Sequence, residues 1–216
     1  YEKTAVKKKS FSVSKKAPSG KNGIAKAKNT PLFTGSANVD YMAEQMVKSA
    51  GVRSSMSQDQ KVKKIYRYMT THFKHTHYQL EKNYKVHYNA ESLAGKIAAY
   101  KASADADMKK GKILYSYAAD DVTAWCMARR IGVCDDHAMI FKILCNHVGV
   151  EAEVCGGYYL NRSGTKSPHA WNLAVINGKT YYYDVDVQIQ NYKKGQGDYY
   201  WYKKTKSQAK KNHEFA

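Results

Sequence analysis

The stretch RRIGVCDDHAMIFKILCNHVGVEAEVCGGYY (129–159) contains the feature that decides the fold, a change of hydrophobic period behind a cysteine. After Cys134, apolar residues recur at helical spacing as far as Val148, and Gly149 is a typical helix stop. From Glu151 the period changes to two, which indicates a strand. Cys134 is therefore predicted at the beginning of a helix, where the helix dipole favours the thiolate form of a cysteine.

Several roles for the Cys134 thiol stay open on spacing alone. The chain has four cysteines, at positions 126, 134, 145 and 155, and no two of them form the C-x2-C pair typical of zinc sites. A metal site built from Cys134, His137 and distant partners is a weak alternative to a nucleophile or a small core residue. We expect Cys145 and Cys155 either to form a disulfide or to lie buried as thiols, with Cys134 left free.

A two-residue turn later in the chain predicts a β-hairpin. Asn177-Gly178 joins two runs that are rich in β-branched and aromatic residues, His169–Ile176 and Lys179–Gln190. An Asn-Gly pair between such runs is a strong signal for a type I′ turn, which fixes the register of the two strands.

This register brings His169 beside two candidate carboxylates. His169 is predicted to lie opposite Asp186, and Trp171, two residues further on, opposite Asp184. Side chains alternate along a strand, so all four share one face, and Asp184 is a diagonal neighbour of His169. An imidazole oriented by a carboxylate is what a general base requires, and the register alone leaves the two aspartates competing for that role.

The first half of the chain is predicted to be helical. The predicted helices are Asp40–Ala50, Ser57–Phe73, Glu91–Lys110 and Asp121–Arg130. The second of them begins with a capping box. Helices followed by strands favour an α+β domain, in which N-terminal helices pack on an antiparallel sheet and Cys134 lies at a helix N-terminus.

Three histidines, His72, His75 and His77, lie at the end of the second predicted helix. Neither a carboxylate nor a cysteine frames them in the sequence, which argues against a metal site. We expect exposed side chains near the helix C-terminus instead. The sequence predicts no bound metal and no cofactor.

Composition divides the chain into a predicted basic tail or linker over residues 1–37 and one domain over 38–216. The net charge of +18 favours anionic surfaces, but only five of the 36 basic residues are Arg. Because Arg is preferred for reading phosphates and bases, a nucleic-acid partner is not expected. No apolar run approaches the length of a membrane span, and the start at Tyr1 suggests a processed chain.

Three sequence blocks resemble the signature blocks of the transglutaminase-like superfamily. They are GVCDDHA (132–138), HAWN (169–172) and INGKTYYYDVD (176–186), and they occur in the order found in that family. The resemblance covers about residues 57–190, with low similarity near 80–120. It implies a papain-like fold and thiol-dependent acyl transfer at amide bonds.

The resemblance also implies a catalytic triad. In the family the Cys of the first block is the nucleophile, the His of the second is the base, and an Asp in the third orients that His. The matching positions here are Cys134, His169 and Asp184. Asp186 stands where the family usually has Thr or another small residue, so it is either a second orienter or a surface residue. His137 stands where related proteins carry an aromatic residue, and a structural role is expected for it.

The implied enzyme is a transglutaminase-like cysteine acyltransferase or a cysteine peptidase with a peptide or protein substrate. If water accepts the acyl group the reaction is hydrolysis, and if a lysine amine accepts it the reaction is Gln–Lys cross-linking. The alternative is a non-catalytic module on the same fold that binds a polypeptide or an anionic cell-envelope polymer. The Lys- and Tyr-rich composition suggests a bacterial protein that is secreted or held at the cell surface.

Overall fold

The computed structural model describes residues 34, 37–75, 80–81, 113–114, 119–161, 163–192 and 199–215. The helices are α1 (Ala37–Ser49), α2 (Gln58–His72), α3 (Ala119–Arg129), α4 (Cys134–His147), α5 (Val185–Tyr192) and α6 (Lys206–Ala209). The strands are β1 (Lys74–His75), β2 (Leu80–Glu81), β3 (Ile113–Leu114), β4 (Ile131–Gly132), β5 (Ala152–Leu160), β6 (Lys166–Ile176), β7 (Lys179–Tyr183) and β8 (His213–Phe215). Nearly all of the predicted tail, and the whole predicted helix Glu91–Lys110, lie outside the described residues. Among the described helices, none is long and apolar enough to cross a bilayer.

The main sheet has four strands in the order β7-β6-β5-β8, and every neighbouring pair is antiparallel. Two short parallel pairs, β1 with β4 and β2 with β3, stand apart from it. Helices α1 to α4 come before the main sheet in the chain, and α4 packs on β5 and β6. The predicted α+β class, with helices packed on an antiparallel sheet, is confirmed.

The predicted hairpin is present between β6 and β7. Asn177 and Gly178 have φ angles of 51° and 76°, as a type I′ turn requires. The observed register pairs Asn172 with Tyr183, which is the predicted register. The predicted second strand is too long, however, because β7 ends at Tyr183 and helix α5 begins two residues later.

Burial of every residue from Val185 to Ile189 explains why α5 resembled a strand in the sequence. Val185, Val187 and Ile189 alternate with polar residues, which imitates a strand with one buried face. In the structure the intervening Asp186 and Gln188 are buried as well. The alternation of apolar and polar residues therefore does not distinguish a strand from a helix here. The helix is stabilised at its N-terminus by the carboxylate of the residue before it, which is described with the site.

Helix α2 supplies one wall of the core. Its capping box is confirmed, since the Ser57 N–H donates to Gln60 Oε1 and the Gln60 N–H donates to Ser57 Oγ. The predicted apolar face is buried along its whole length, at Val62, Ile65, Tyr66, Met69 and the following Phe73. Complete burial stabilises each large apolar side chain by about 1.5–3 kcal/mol relative to exposure. This wall holds α4 in place, because the two helices contact each other.

Both faces of the main sheet are covered. Ala174 and Ile176 of β6 point into the large cluster formed with the helices. Trp171 and Leu173 alternate with them and point to the other face, where they pack with Phe215 of β8. The side chain of Phe215 therefore covers part of the sheet face opposite to α4.

Candidate active site

Cys134 is the first residue of α4, as predicted, and it is half-buried. Val133, just before it, is extended with φ −108° and ψ −173°, and its N–H donates to Asp136 Oδ2 at 2.9 Å. The Asp136 carboxylate thus fixes the backbone of the residue just before the helix. The first N–H groups of a helix have no intrahelical acceptor, so Cys134 lies where free amides and the positive end of the dipole meet.

The absence of a side chain at Gly132 makes the close packing at the start of α4 possible. A Cβ built on Gly132 would lie 2.6 Å from the Cβ of Asp136, which real side chains do not tolerate. Gly132 also pairs with His75 in the parallel β1–β4 ladder. The start of α4 is therefore packed closely against the strand that precedes it.

His169 lies on β6 between the cysteine and a carboxylate. Its Nε2 is 2.7 Å from Asp184 Oδ2, and the ring also hydrogen-bonds with the Cys134 thiol. Since Nε2 is occupied, Nδ1 is the ring nitrogen left for the thiol. Burial alone would lower the pKa of His169, but the charge and hydrogen bond of Asp184, together with Cys134, raise it to about 11. The ring therefore stays protonated at neutral pH.

Asp184 holds three groups at once between β7 and α5. Its Oδ1 accepts the Val187 N–H at 2.9 Å, so it is the N-cap of α5. Its Oδ2 accepts from His169 at 2.7 Å and from His213 Nε2 at 2.8 Å. Burial would raise the pKa of this carboxyl, but His169 and His213 hold it well below its usual range. Asp184 is thus a buried, ionised and immobilised carboxylate.

His213 was missed by the sequence analysis. It lies on β8 with its side chain buried, and it packs between Trp171 and Trp201 at ring-centroid distances of 4.7 and 4.8 Å. Its Nδ1 is 3.3 Å from the carbonyl oxygen of Ala209. No local motif marks this residue, because the pairing of β8 with β5 is what brings it to Asp184.

Asp186 does not reach His169 and instead forms a second cluster on the other side of the α5 N-terminus. Its Oδ1 lies 2.8 Å from His75 Nδ1 and 2.7 Å from His137 Nδ1. The prediction that Asp186 shares a hairpin face with His169 is wrong, because the chain turns into a helix after Asp184 and redirects the next carboxylate. Asp186 is also buried, so it is not a surface residue.

The Asp186 cluster changes the interpretation of His75 and gives His137 a defined partner. His75 was expected to be exposed, but it lies in β1 with 21% of its side chain accessible and is bonded to Asp186. His72 is exposed on the last turn of α2, as expected, and His77 lies outside the described residues. His137 is fully buried and, rather than facing the thiol, points its Nδ1 at Asp186.

The other cysteines differ sharply from Cys134. Cys126, Cys145 and Cys155 are buried and form no disulfide, so the disulfide alternative for Cys145 and Cys155 does not hold. Burial raises the pKa of Cys155 to about 12 and that of Cys145 still further above its ordinary value. Cys134 is the one cysteine of the four that is partly accessible to a reagent or substrate.

Comparison with known proteins agrees with the motifs. The fold and the block order define a papain-like α+β core with a cysteine at a helix N-terminus. The family model of the transglutaminase-like superfamily matches residues 94–187, a segment that contains Cys134, His169 and Asp184. This segment is similar to a transglutaminase-like core, and the match supports the suspected superfamily.

Similarity to whole proteins is much weaker. A solved structure described as "Crystal structure of a TGase" is 16% identical, with a TM-score of 0.42 and 68% of this chain covered. The match covers 31% of that protein's chain. A similarity at this level supports no argument about activity. No curated protein matches the sequence.

Proposed function

We propose that the chain is a thiol-dependent acyltransferase or hydrolase that acts at amide bonds of peptide or protein substrates. The observation that carries the proposal is the continuous line of contacts from Cys134 through His169 to Asp184. A nucleophile, a base and an orienting carboxylate in hydrogen-bond contact are the parts required for covalent acyl transfer.

The protonation state of His169 determines how the first step begins. His169 has a raised pKa and stays protonated, so Cys134 is paired with an imidazolium that stabilises its thiolate form. The Cys134 sulfur attacks the carbonyl carbon of the amide and forms a C–S bond. The developing oxyanion is stabilised by the free N–H of Cys134 at the start of α4.

Collapse of this intermediate breaks the C–N bond. His169 gives its proton to the departing amine, which leaves an acyl thioester on Cys134 and a neutral imidazole. An incoming water or amine then loses a proton to His169 and attacks the thioester, and the C–S bond breaks. Asp184 does not change its protonation in this cycle; it holds the ring in place and stabilises the imidazolium.

The same triad could support two reactions, and the acceptor of the acyl group decides between them. Water gives hydrolysis of the amide, and a lysine amine gives an isopeptide cross-link. The family resemblance and the peptide-like chemistry of the step support a peptide or protein donor for both. We propose glutamine carboxamides as the donors to test first.

The test is incubation of the full chain with a glutamine-containing peptide, with and without a primary amine, followed by mass spectrometry of the peptide. We expect a product that depends on Cys134: a loss of ammonia with gain of water, or attachment of the amine. Cys134→Ser and His169→Ala should each lower turnover by about 100-fold or more. His72→Ala is the matched control, because His72 is exposed and bonds to Tyr68 and Thr71, and it should leave turnover unchanged.

One result would replace the enzyme with a binding module. That result is the absence of turnover across a panel of amide substrates, with a Cys134 thiol that alkylates at pH 6 no faster than an ordinary cysteine. Binding of a polypeptide that is unchanged by Cys134→Ala would then identify the alternative function.

A further inference from the structure

Residues His75, His137 and Asp186 form a second polar cluster that the acyl-transfer line does not use. Each offers one ligand atom, and the three atoms lie within 4.8 Å of one another. We propose that this cluster is a binding site for one divalent first-row transition metal ion, with Zn²⁺ as the reference ion. The proposal is independent of the acyl-transfer activity.

The ligand types and their separations fit such an ion. Two imidazole nitrogens and one carboxylate oxygen are a common protein ligand set for Zn²⁺ and related ions. Tetrahedral Zn²⁺ with bonds of about 2.0–2.1 Å needs ligand atoms roughly 3.3 Å apart. Both histidine nitrogens are now 2.7–2.8 Å from Asp186 Oδ1, so an opening of about 0.5 Å would admit the ion.

Three separate elements bring the ligands together. His75 lies at the end of β1, His137 in the first turn of α4 and Asp186 in the first turn of α5. The ladder between His75 and Gly132 fixes β1 against the start of α4. The ligand atoms therefore converge through backbone positions that the fold already determines, rather than through flexible surface side chains.

The surroundings orient the carboxylate and leave one side open. Gln190 Nε2 donates to Asp186 Oδ2 at 2.7 Å, which leaves Oδ1 as the oxygen for a metal. The ring of Phe73 packs edge-on against His137 with centroids 5.8 Å apart and excludes water from that side. His75 is 21% accessible, so an ion can enter there and keep a fourth ligand from solvent.

The charge balance of the cluster favours a cation. Asp186 is buried, and within the part of the chain that the structure describes no Lys or Arg forms an ion pair with it. Among the described residues, His75 and His137 are the side chains that form ion pairs with the carboxylate. Burial of an ionised carboxylate is costly unless it is paired or binds a metal. A divalent ion would offset the charge of Asp186 more fully than the two histidines do.

The similar set at Asp184 is the weaker candidate for a metal. His169 already contacts the Cys134 thiol, and Asp184 Oδ1 caps α5. His169 and His213 have 7% and 1% of their side chains accessible, so neither opens to solvent as His75 does. We therefore assign the ion to the Asp186 cluster.

The test is a titration of the metal-free full chain with Zn²⁺, followed by calorimetry, in a Cys134→Ser background. This background removes the half-exposed thiol as a competing ligand and makes the result independent of activity. We expect one ion per chain with a Kd near or below about 1 μM, and His75→Ala should weaken binding by at least about 100-fold. His72→Ala removes an exposed histidine three residues away and should change nothing.

Co²⁺ gives a second readout that reports the ligand type. Co²⁺ bound to two imidazoles and a carboxylate should show visible d–d bands without thiolate charge-transfer absorption, in both Cys134→Ser and the unsubstituted chain. Zn²⁺ at 100 times Kd should raise the Tm by roughly 5–10 °C, and His75→Ala should abolish that rise. Asp186→Asn, checked for folding by circular dichroism, should behave like His75→Ala.

The proposal is overturned by either of two results. One is a Zn²⁺ affinity weaker than about 100 μM in the Cys134→Ser chain. The other is an equal affinity in His75→Ala and His72→Ala. An effect of His75→Ala on binding, with an unchanged metal-free circular dichroism spectrum, supports it.

Discussion

Two clusters of the same composition flank the N-terminus of α5, and each has one aspartate between two histidines. The Asp184 cluster is His169, Asp184 and His213, and the Asp186 cluster is His75, Asp186 and His137. Their carboxylates are two residues apart in the sequence. The first cluster contacts a half-exposed thiol, whereas the second has an accessible histidine and no cysteine ligand.

The difference teaches that surroundings, more than residue types, decide the chemistry of such a group. Asp184 uses both oxygens on partners within the fold, since one caps a helix and the other holds two rings. Asp186 has one oxygen fixed by Gln190 and the other facing two imidazoles. The first arrangement immobilises the proposed base, and the second presents the proposed ligand set.

The sharpest test of this comparison is the pH dependence of Cys134 alkylation in His169→Ala. In the unsubstituted chain the pKa of His169 is about 11, so the imidazolium persists beside the thiol from pH 6 to 8, and the alkylation rate should rise with pH less steeply than in His169→Ala. Without the ring, an ordinary thiol gains reactivity by about tenfold per pH unit below its pKa of about 8.5, or on the order of 100-fold over this range. The measurement is intact-mass kinetics with limiting iodoacetamide. A steep profile in the unsubstituted chain would contradict the assignment of the thiolate–imidazolium pair.

Substitution of each carboxylate by its amide compares the clusters directly. Asp184→Asn removes the charge that stabilises the imidazolium, so Cys134 alkylation at pH 6 should slow by about tenfold or more. Asp186→Asn leaves His169 and its partner in place, so the rate should change by less than about threefold. The same alkylation kinetics measure both variants. Equal losses would mean that the two clusters act as a single network and would end the distinction.

The acid side of the stability curve gives a smaller effect at Asp186. Burial would raise the pKa of Asp186, but its hydrogen bonds to His137 and His75 lower it from 3.8 to about 2. The stabilisation is therefore full above pH 4 and is lost as pH falls through this lower value. Relative to Asp186→Asn, the unsubstituted chain should lose about 1 kcal/mol of unfolding free energy between pH 5 and pH 3.

Urea unfolding of both chains at several pH values provides that measurement. Glu44→Gln is the matched control, because Glu44 is an exposed carboxylate paired with Lys48 on α1. It should contribute far less to the pH dependence, since solvent screens the exposed ion pair that Glu44 forms. A pH-independent difference between the unsubstituted chain and Asp186→Asn would show that the Asp186 carboxylate is not stabilised by its histidines.

Local sequence signals were sufficient to predict much of the fold and the contact between Asp184 and His169. The Ser57 capping box, the apolar face of α2 and the Asn177-Gly178 turn each act within a few residues, and each is present in the structure. The turn also fixed the strand register that brings Asp184 near His169. Short-range chemistry and one hairpin therefore determine this part of the molecule.

The remaining features depend on packing that no local pattern reports. Helix α5 is buried from Val185 to Ile189, so the polar residues in this part do not mark an exposed face. His213 meets Asp184 across 29 residues, and His75 meets Asp186 across 111 residues. No carboxylate near His75 in the sequence marks its partner, because Asp186 contacts His75 only through the packing of β1 against α5.

The position of β8 links the edge of the sheet to the site. Fraying of this strand from β5 would remove the second imidazole from Asp184 and the cover of Phe215 from Trp171. Loss of order at the edge of the sheet would therefore loosen the carboxylate that holds the proposed base.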